Sequence, residues 1–183
     1  GRDGRVRLFR PQKHVDRLNR TAQLLCIPPL APDLVLKSWT TLVGLDHDWV
    51  PRTVGTSLYI RPTVIASEPF LGVRPAREYL YFVILSPVGA YYPEGINPVK
   101  IMVVDKYVRA VKGGLGEAKA SANYAASLHA AEDAKHAGFT QVLWLDGVHR
   151  KWIEEVGTMN IMFRIADEVV TPPLAGTILG GVT

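Results

Sequence analysis

A stretch rich in proline and glycine most constrains how this chain can fold, because it breaks the patterns of strands and helices on either side of it. Residues 87–98 contain three prolines, two glycines and two tyrosines. Such a composition is typical of a linker or a functional loop. We therefore predict a small N-terminal domain at 1–86, an interdomain loop at 87–97 and a larger domain at 98–183.

Before this loop, five segments show the periodicity of strands or helices. Strands are predicted at 5–9, 57–67 and 79–85, and helices at 14–25 and 32–44. Pro62 lies inside the second strand and cannot donate a backbone hydrogen bond. That strand is therefore expected at the edge of a sheet or at a bulge.

After the loop, short β segments surround one helix. Strands are predicted at 100–104, 141–145, 151–155, 160–165 and 168–171. A helix is predicted at 123–136, with Asn123 as its N-cap and Gly138 as its terminator. Its apolar face is predicted to comprise Tyr124, Leu128, Ala131 and Ala134.

Composition and charge disfavour several classes of protein. The chain has 183 residues, 48% hydrophobic and 21% charged, as ordinary globular proteins do. No apolar run approaches the roughly 18 residues of a membrane span, and the first residues lack the apolar segment of a signal peptide. The net charge is +4 and the pI is near 9.3. Because the basic residues are spread out, attraction of a phosphate and of carboxylate substrates explains this charge better than nucleic acid does.

Cysteine and histidine usage predicts neither a disulfide nor a metal site. The single cysteine, Cys26, excludes an internal disulfide and suits a reducing cytoplasm. Its apolar neighbours predict a buried structural thiol. The side chains of the Asp-His-Asp run at 46–48 are adjacent on a short turn and therefore cannot converge on one ion. His129 and His136 lack cysteine partners for a metal site.

Residues 107–124 hold the strongest candidate for chemistry. A loop with Gly113, Gly114 and Gly116 delivers Lys119 directly before the predicted helix, and glycines let a backbone approach a ligand closely. The loop lacks the Gly-Lys-Ser/Thr of a phosphate-binding P-loop. Taken alone, Lys119 is best interpreted as a solvated loop lysine and Glu155 as a solvated strand carboxylate.

Several motifs together resemble the branched-chain aminotransferases, which are pyridoxal-phosphate-dependent enzymes of the class IV aminotransferase family. The longest is Tyr-Val-Arg-Ala-Val-Lys-Gly-Gly at 107–114, followed by Lys119 and by Asn-Tyr at 123–124. The second is Glu-Val-Gly-Thr-Met-Asn at 155–160. Further matches lie at 7–11, 57–62, 85–89, 141–147 and 171–174. The likeness keeps one order over the whole chain but covers only about the middle of the family's usual length, so we expect a part of a longer protein.

This resemblance implies roles around the cofactor ring. Lys119 is expected to be the lysine that forms an imine with the cofactor aldehyde. Glu155 is expected to face the pyridine nitrogen, while its neighbour Glu154 points the other way along an extended segment. Tyr124 is expected to hydrogen-bond the phenolic oxygen, and Arg109 to supply positive charge near the cofactor.

The same resemblance implies groups for the phosphate and for the substrate. Arg17 matches the family's phosphate-binding arginine, and the amides of Val182 and Thr183 match its phosphate cup. Five residues match positions on the substrate side, namely Tyr59, Arg61, Val73, Tyr91 and Thr158. Ser121 and Ala122 stand where the family usually has two glycines.

The implied fold is α+β, with a small α/β sandwich domain, a larger β-rich domain and the cofactor between them. The implied reaction transfers amino groups between branched-chain L-amino acids and 2-oxoglutarate. The protein is expected to be a cytoplasmic homodimer, with 71–73 reaching across the dimer interface, and to bind no nucleic acid, membrane or metal. Three alternatives stay open: a D-amino-acid aminotransferase, an aminodeoxychorismate lyase, and a non-catalytic remnant of the fold. The Tyr-x-Arg at 59–61 and the motif at 155–160 favour the branched-chain group.

Overall fold

The computed structural model describes residues 3–90, 95 and 97–183. The chain separates into two compact units, Gly1–Ile96 and Asn97–Thr183. The division between them lies inside the expected interdomain loop, 87–97. Within the described ranges, every helix is too short or too polar to cross a membrane.

The first unit combines two helices with a hairpin. It contains α1 (Pro11–Leu24), α2 (Pro32–Leu45), a short 3-10 helix (His47–Trp49), β1 (Ser57–Ala66) and β2 (Tyr79–Val88). Each α-helix begins at a proline, whose fixed φ suits the first turn and whose missing N–H has no partner to lose there. The strands β1 and β2 pair antiparallel, from Ser57 opposite Val88 to Ala66 opposite Tyr79. Because the pair forms a two-stranded sheet, the predicted edge position of Pro62 is confirmed.

The core of the first unit lies between the helices and this hairpin. Val15 and Val35 are 2% and 0% exposed, and Trp39 is 4% exposed. The Trp39 indole donates a 2.9 Å hydrogen bond to Tyr81 Oη on β2. A tryptophan can be buried this deeply because its N–H has a partner.

Residues 5–9 are not a strand, contrary to the sequence prediction. A strand is completed by hydrogen bonds to a neighbour, and within the described residues no strand pairs with this segment. Instead, Asp3 accepts a hydrogen bond from Arg7 Nη1 at 2.8 Å. Arg10, with φ of 44°, then turns the chain into α1. Alternation alone therefore misidentified a segment that packs through Leu8 onto the core.

The second unit is built on a three-stranded sheet. Its elements are β3 (Ile101–Val104), α3 (Ser121–His136), β4 (Gln141–Leu145), β5 (Ile153–Val156), β6 (Phe163–Ile165) and β7 (Glu168–Val170). Strand β4 lies between β3, to which it is parallel, and β5, to which it is antiparallel. The helix α3 makes the crossover that the parallel β3–β4 pair requires. Strands β6 and β7 form a separate hairpin.

The helix α3 differs from its prediction in both start and face. It begins at Ser121, two residues earlier than predicted, with Ala120 as its N-cap. Its buried residues are Ser127, Ala130 and Ala134, whereas Leu128 is 63% exposed. Small side chains let the helix approach Val142 and Trp144 of the sheet closely, so residue size decided the buried face more than hydrophobicity did.

Both α1 and α3 end in the same hydrogen-bonded turn. At α3, Gly138 has φ of 80°, and the Phe139 amide donates to the Ala134 carbonyl at 2.9 Å. The predicted role of Gly138 as terminator is thereby confirmed. At α1, the equivalent left-handed position is held by Cys26, with φ of 56°. Cys26 is exposed. The predicted burial is wrong because this turn projects the residue beyond the helix end.

Both turns predict that glycine is the most stable residue at the left-handed position. Cys26→Gly should stabilise the protein by about 0.5–1 kcal/mol, because left-handed backbone disfavours a residue with a Cβ. Gly138→Ala should destabilise it by about 1 kcal/mol for the same reason. The free energy of unfolding in urea measures both effects. Cys26→Ala is the matched control, since it removes the thiol and keeps the Cβ; a gain from Cys26→Ala equal to that from Cys26→Gly would contradict this explanation.

Candidate active site

The loop that carries Lys119 is held from both sides. At Gly116, an added Cβ would collide with the Thr177 carbonyl and lie 2.6 Å from the Ala110 Cβ, so only glycine fits there. The side chain of Asn123 donates to the carbonyls of Leu115 and Ala118, each at 2.7 Å. Asn123 therefore fastens the loop from inside α3 and does not cap the helix as predicted. The loop is restrained at the residue directly before Lys119.

Lys119 itself projects from this restrained backbone. It is exposed, whereas its neighbours Ala118 and Ala120 are 2% and 8% exposed. Its Nζ donates a 2.6 Å hydrogen bond to Tyr124 Oη, which lies in the first turn of α3. Ser121 begins this helix, so the helical backbone accommodates a Cβ at a position where the resemblance predicts glycine. The structure thus brings together two of the predicted residues, an amine and a phenol.

The acidic residue Glu155 lies at a β-bulge. Leu143 pairs with Val156 and Leu145 with Ile153, which leaves Glu154 and Glu155 together opposite the single residue between the two leucines. Both carboxylic residues are buried, at 8% and 4% exposed. The bulge interrupts the alternation on which the expected opposite directions of Glu154 and Glu155 rested. Within the described residues, Glu154 Oε2 has no hydrogen-bond partner.

Glu155 is surrounded by groups distant in sequence. Arg109 Nε lies 3.2 Å from Glu155 Oε2, an ion pair without hydrogen-bond geometry. Asn160 Nδ2 donates to Glu155 Oε1 at 3.2 Å, and the Leu179 amide also donates to the carboxylate. Arg109 in turn donates a short hydrogen bond to the Thr177 carbonyl. The predicted cationic residue Arg109 therefore contacts the predicted acid directly.

Opposing effects act on the proton affinity of Glu155. Burial raises the pKa of Glu155 above its ordinary value. The positive charges of Arg109 and Lys119 and the Leu179 amide lower this pKa, while the negative charge of Glu154 raises it. The net direction is upward. Glu155 is thus a carboxylate with increased affinity for a proton, as is common at functional sites.

Asn160 also organises the segment that ends the chain. Besides Glu155, its Nδ2 donates to the Leu179 carbonyl at 2.9 Å. A Cβ added at Gly181 would collide with Asn160 Oδ1, so the backbone there passes directly over the asparagine. Val182, predicted to bind phosphate, is 7% exposed, and Thr183 is exposed. No role is predicted for Asn160 from the sequence, although its place in the motif at 155–160 is a signal.

Of the remaining predicted residues, Thr158 belongs to the second unit and the others belong to the first. Thr158 is exposed in the turn after β5. In the first unit, Arg17 lies on α1, with Nη2 3.4 Å from His14 Nδ1. Tyr59 and Arg61 lie on one face of β1, the guanidinium 5.5 Å from the ring centre. Val73 is fully exposed in the loop after β1. Tyr91 lies outside the described residues.

The ion pair predicts a measurable response to Arg109→Met. An unpaired buried carboxylate should destabilise the protein by about 3–5 kcal/mol and raise the pKa of Glu155 further. Because a raised pKa means that the folded state binds the proton more tightly, stability is lost as pH rises from the ordinary glutamate pKa through the folded value. The loss caused by Arg109→Met should therefore be largest at neutral pH and smallest in acid.

Urea unfolding at several pH values, with NMR titration of glutamate carboxyl carbons, measures this response. Arg164→Met is the matched control, since the ion pair of Arg164 with Asp167, at 3.7 Å, is exposed. Equal losses at acid and neutral pH would show that the ion pair does not set the stability of the site.

The chain is similar to known aminotransferases over its whole length. The sequence profile of the amino-transferase class IV family matches residues 2–183. The chain is 56% identical over 181 residues to branched-chain-amino-acid aminotransferase 2 of Bacillus subtilis, covering 99% of this chain and 50% of that protein. It is 51% identical to a probable branched-chain-amino-acid aminotransferase of Staphylococcus aureus, covering 100% of this chain and 51% of that protein. The chain thus spans about half the length of these curated relatives.

Solved structures share the fold. The crystal structure of an Escherichia coli branched-chain amino acid aminotransferase matches with a TM-score of 0.78 at 25% identity, over 95% of this chain and 56% of that one. A branched-chain aminotransferase from Thermoproteus uzoniensis, crystallised with norvaline, matches with a TM-score of 0.78 at 24% identity, over 96% and 56%. The predicted α+β fold is confirmed.

Proposed function

Because the chain belongs to the class IV aminotransferase family, we propose that the protein transfers amino groups between branched-chain L-amino acids and 2-oxoglutarate with pyridoxal 5'-phosphate. One structural observation carries this proposal. A loop lysine held against a tyrosine and a buried carboxylate held against an arginine occur in the same compact unit. The identity to aminotransferases of Bacillus subtilis, at 56%, supports the branched-chain substrates.

The residues present fit the cofactor. An exposed amine on a restrained loop, Lys119, is suited to a carbonyl group, and a buried acid of raised pKa, Glu155, is suited to a basic ring nitrogen. Gly181 lets the backbone before Val182 and Thr183 pass where a side chain would not fit. When bound, the cofactor supplies an electron sink for negative charge at the amino-acid α-carbon.

Lys119 is the proposed catalytic residue. Its Nζ would hold the cofactor and, as a free amine, would take and return the substrate proton as general base and acid. Tyr124 Oη, 2.6 Å from this nitrogen, orients it and would hydrogen-bond the phenolic oxygen of the cofactor. The restraint from Gly116 and Asn123 limits how far the amine can move between these roles.

Glu155 is proposed to hold the proton on the ring nitrogen. Its carboxylate must be charged to stabilise that positive nitrogen, and burial opposes this charge by raising the pKa of Glu155. Arg109 limits this effect by ion pairing at 3.2 Å, which favours the charged carboxylate. Asn160 fixes the orientation of the acid through its hydrogen bond to Oε1.

The phosphate and substrate groups complete the proposal. Arg17 and the amides of Val182 and Thr183 bind the phosphate. The substrate side is formed by Tyr59, Arg61, Val73, Tyr91 and Thr158. An exposed guanidinium such as that of Arg61 suits the carboxylate of an amino acid. We place the protein in the cytoplasm, where its exposed Cys26 stays reduced.

Chemical trapping on Lys119 tests the function. Protein incubated with pyridoxal 5'-phosphate and reduced with borohydride should gain the mass of one cofactor, mapped to Lys119. Lys119→Ala should lose both this adduct and turnover, a fall in rate of about a thousandfold or more. Lys135→Ala, at an exposed lysine in the last turn of α3, is the matched control and should keep both. An adduct elsewhere, or activity retained by Lys119→Ala, would contradict the assignment.

A parallel assay of substrates separates the alternatives. L-leucine should be converted with 2-oxoglutarate, while D-alanine and aminodeoxychorismate should not be consumed. Consumption of D-alanine or of aminodeoxychorismate instead would point to the corresponding class IV enzyme. If the protein binds the cofactor but converts none of the three substrates, it would be a non-catalytic remnant.

An exposed loop after β1 supports the proposed homodimer. Arg74 stacks over the Phe70 ring at 3.7 Å and pairs with Glu68 at 2.7 Å. These contacts hold the two ends of the loop, and between them Leu71 and Val73 are fully exposed, at 97% and 107%. Apolar side chains presented in this way mark interaction surfaces.

Leu71→Asp should therefore weaken the homodimer, since a buried charge at an interface is unfavourable. Sedimentation of the protein over a range of concentrations should show a dissociation constant raised by about tenfold or more. Val54→Asp, at another fully exposed valine in the first unit (97%), is the matched control. An equal effect of both variants would remove this loop from the interface.

A further inference from the structure

The turn that joins β4 to β5 is organised by one carboxylate. The Asp146 side chain accepts hydrogen bonds of 2.6–3.1 Å from the amides of Val148, His149, Lys151 and Trp152. These backbone donors lower the pKa of Asp146 far below its ordinary value. The carboxylate is therefore charged at neutral pH, and the turn at 146–152 is held in one conformation.

This turn contacts the segment that leads into the lysine loop. A Cβ added at Gly147 would lie 2.6 Å from Val111 Cγ1, 2.8 Å from the Ala110 carbonyl oxygen and 2.9 Å from Val108 Cγ1. Distances this short are not tolerated in packed proteins, so only glycine permits the contact. The turn and the 108–111 segment thus fit together closely.

Arg150, within the same turn, adopts a strained backbone conformation. Its φ is 54°, in the left-handed region that disfavours residues with a Cβ. From this position, its Nη1 donates to the Asp105 carbonyl at 2.6 Å and to the Tyr107 carbonyl at 3.2 Å. Strain of this kind persists only where surrounding contacts impose it, and it often accompanies function.

The two carbonyls that Arg150 binds lie just before Arg109. Asp105 and Tyr107 precede Arg109 by four and two residues in a segment without regular structure. Tyr107 Oη is also fixed, since it donates to Asp133 Oδ2 of α3 at 2.6 Å. The backbone that projects the Arg109 side chain towards Glu155 is therefore held at Tyr107 by two anchors.

We propose that Arg150 is a positioning residue: by binding the carbonyls of Asp105 and Tyr107, it keeps Arg109 in its ion pair with Glu155. Arg150 thereby controls the charge around the acid that is proposed to serve the cofactor ring. This inference rests on the proposed function for its consequence, while the positioning itself concerns only residues described here.

The positioning has a distinct electrostatic consequence. The groups that act on Glu155 are Arg109, Lys119 and the Leu179 amide, which favour its charged form, and Glu154, which disfavours it. Arg109 has the largest effect among the charged groups. Loss of the Arg150 contacts frees the segment that carries Arg109, so the pKa of Glu155 rises further. A purely structural role for Arg150 would change stability without moving this titration.

Three substitutions at Arg150 separate positioning from strain. Arg150→Ala removes the guanidinium and keeps the strained φ, Arg150→Gly removes both, and Arg150→Lys keeps a charge that can reach one carbonyl. Ala166→Gly, in the turn between β6 and β7, is the matched control, because Ala166 has a similar φ of 52°. Two measurements are made on the whole protein: the NMR titration of the Glu155 carboxyl carbon without ligand, and the equilibrium binding of pyridoxal 5'-phosphate.

We expect Arg150→Ala and Arg150→Gly to titrate Glu155 at higher pH than the wild type and to bind the cofactor about tenfold more weakly. Arg150→Lys should recover part of both losses, and Ala166→Gly should match the wild type. Should Arg150→Ala fail to fold, Arg150→Gly carries the test, since its backbone is relieved of strain. A wild-type titration and affinity in Arg150→Gly would overturn the positioning role. A wild type that binds no cofactor would overturn the proposed function instead, with the Glu155 titration still testing Arg150.

Discussion

A buried carboxylate beside a buried guanidinium is the interaction on which the second unit depends. Both side chains of the Arg109–Glu155 pair are 6% exposed, and removing two charges from water is unfavourable by several kcal/mol per ion. The pair is tolerated because further donors complete it, namely the amide groups of Asn160 and Leu179. Since apolar residues of similar volume often stabilise a protein more than a buried ion pair does, the pair fits the chemical role proposed for Glu155 better than a role in stability alone.

This pair requires three segments to meet, and each meeting depends on a local departure from regular structure. The segment at 105–111 is anchored through the left-handed Arg150. The strand β5 presents Glu155 from a bulge. The segment at 177–182 approaches through contacts that only Gly116 and Gly181 allow. Departures of this kind concentrate at functional sites, where the backbone and side chains must fit a ligand even when local structural preferences disfavour that geometry.

Sequence patterns predicted regular elements well where the pattern reflects local geometry. The prolines at 11 and 32 begin the two helices of the first unit, and Gly138 ends α3 through its positive φ. Prediction failed where a neighbour decides the outcome. Residues 5–9 alternate but have no pairing strand among the described residues, and α3 buries alanines where close packing against Trp144 excludes Leu128.

The amino-acid sequence by itself determined the family, the order of the elements after residue 10 and the identity of Lys119 and Glu155 as candidates, because motifs and turn residues are encoded locally. Only the tertiary structure decided that Glu155 is buried against Arg109, that Asn160 orients it, and that Arg150 reaches the carbonyls of Asp105 and Tyr107. These partners are separated by up to 46 residues. Burial and ion pairing arise from three-dimensional packing, which no local pattern specifies.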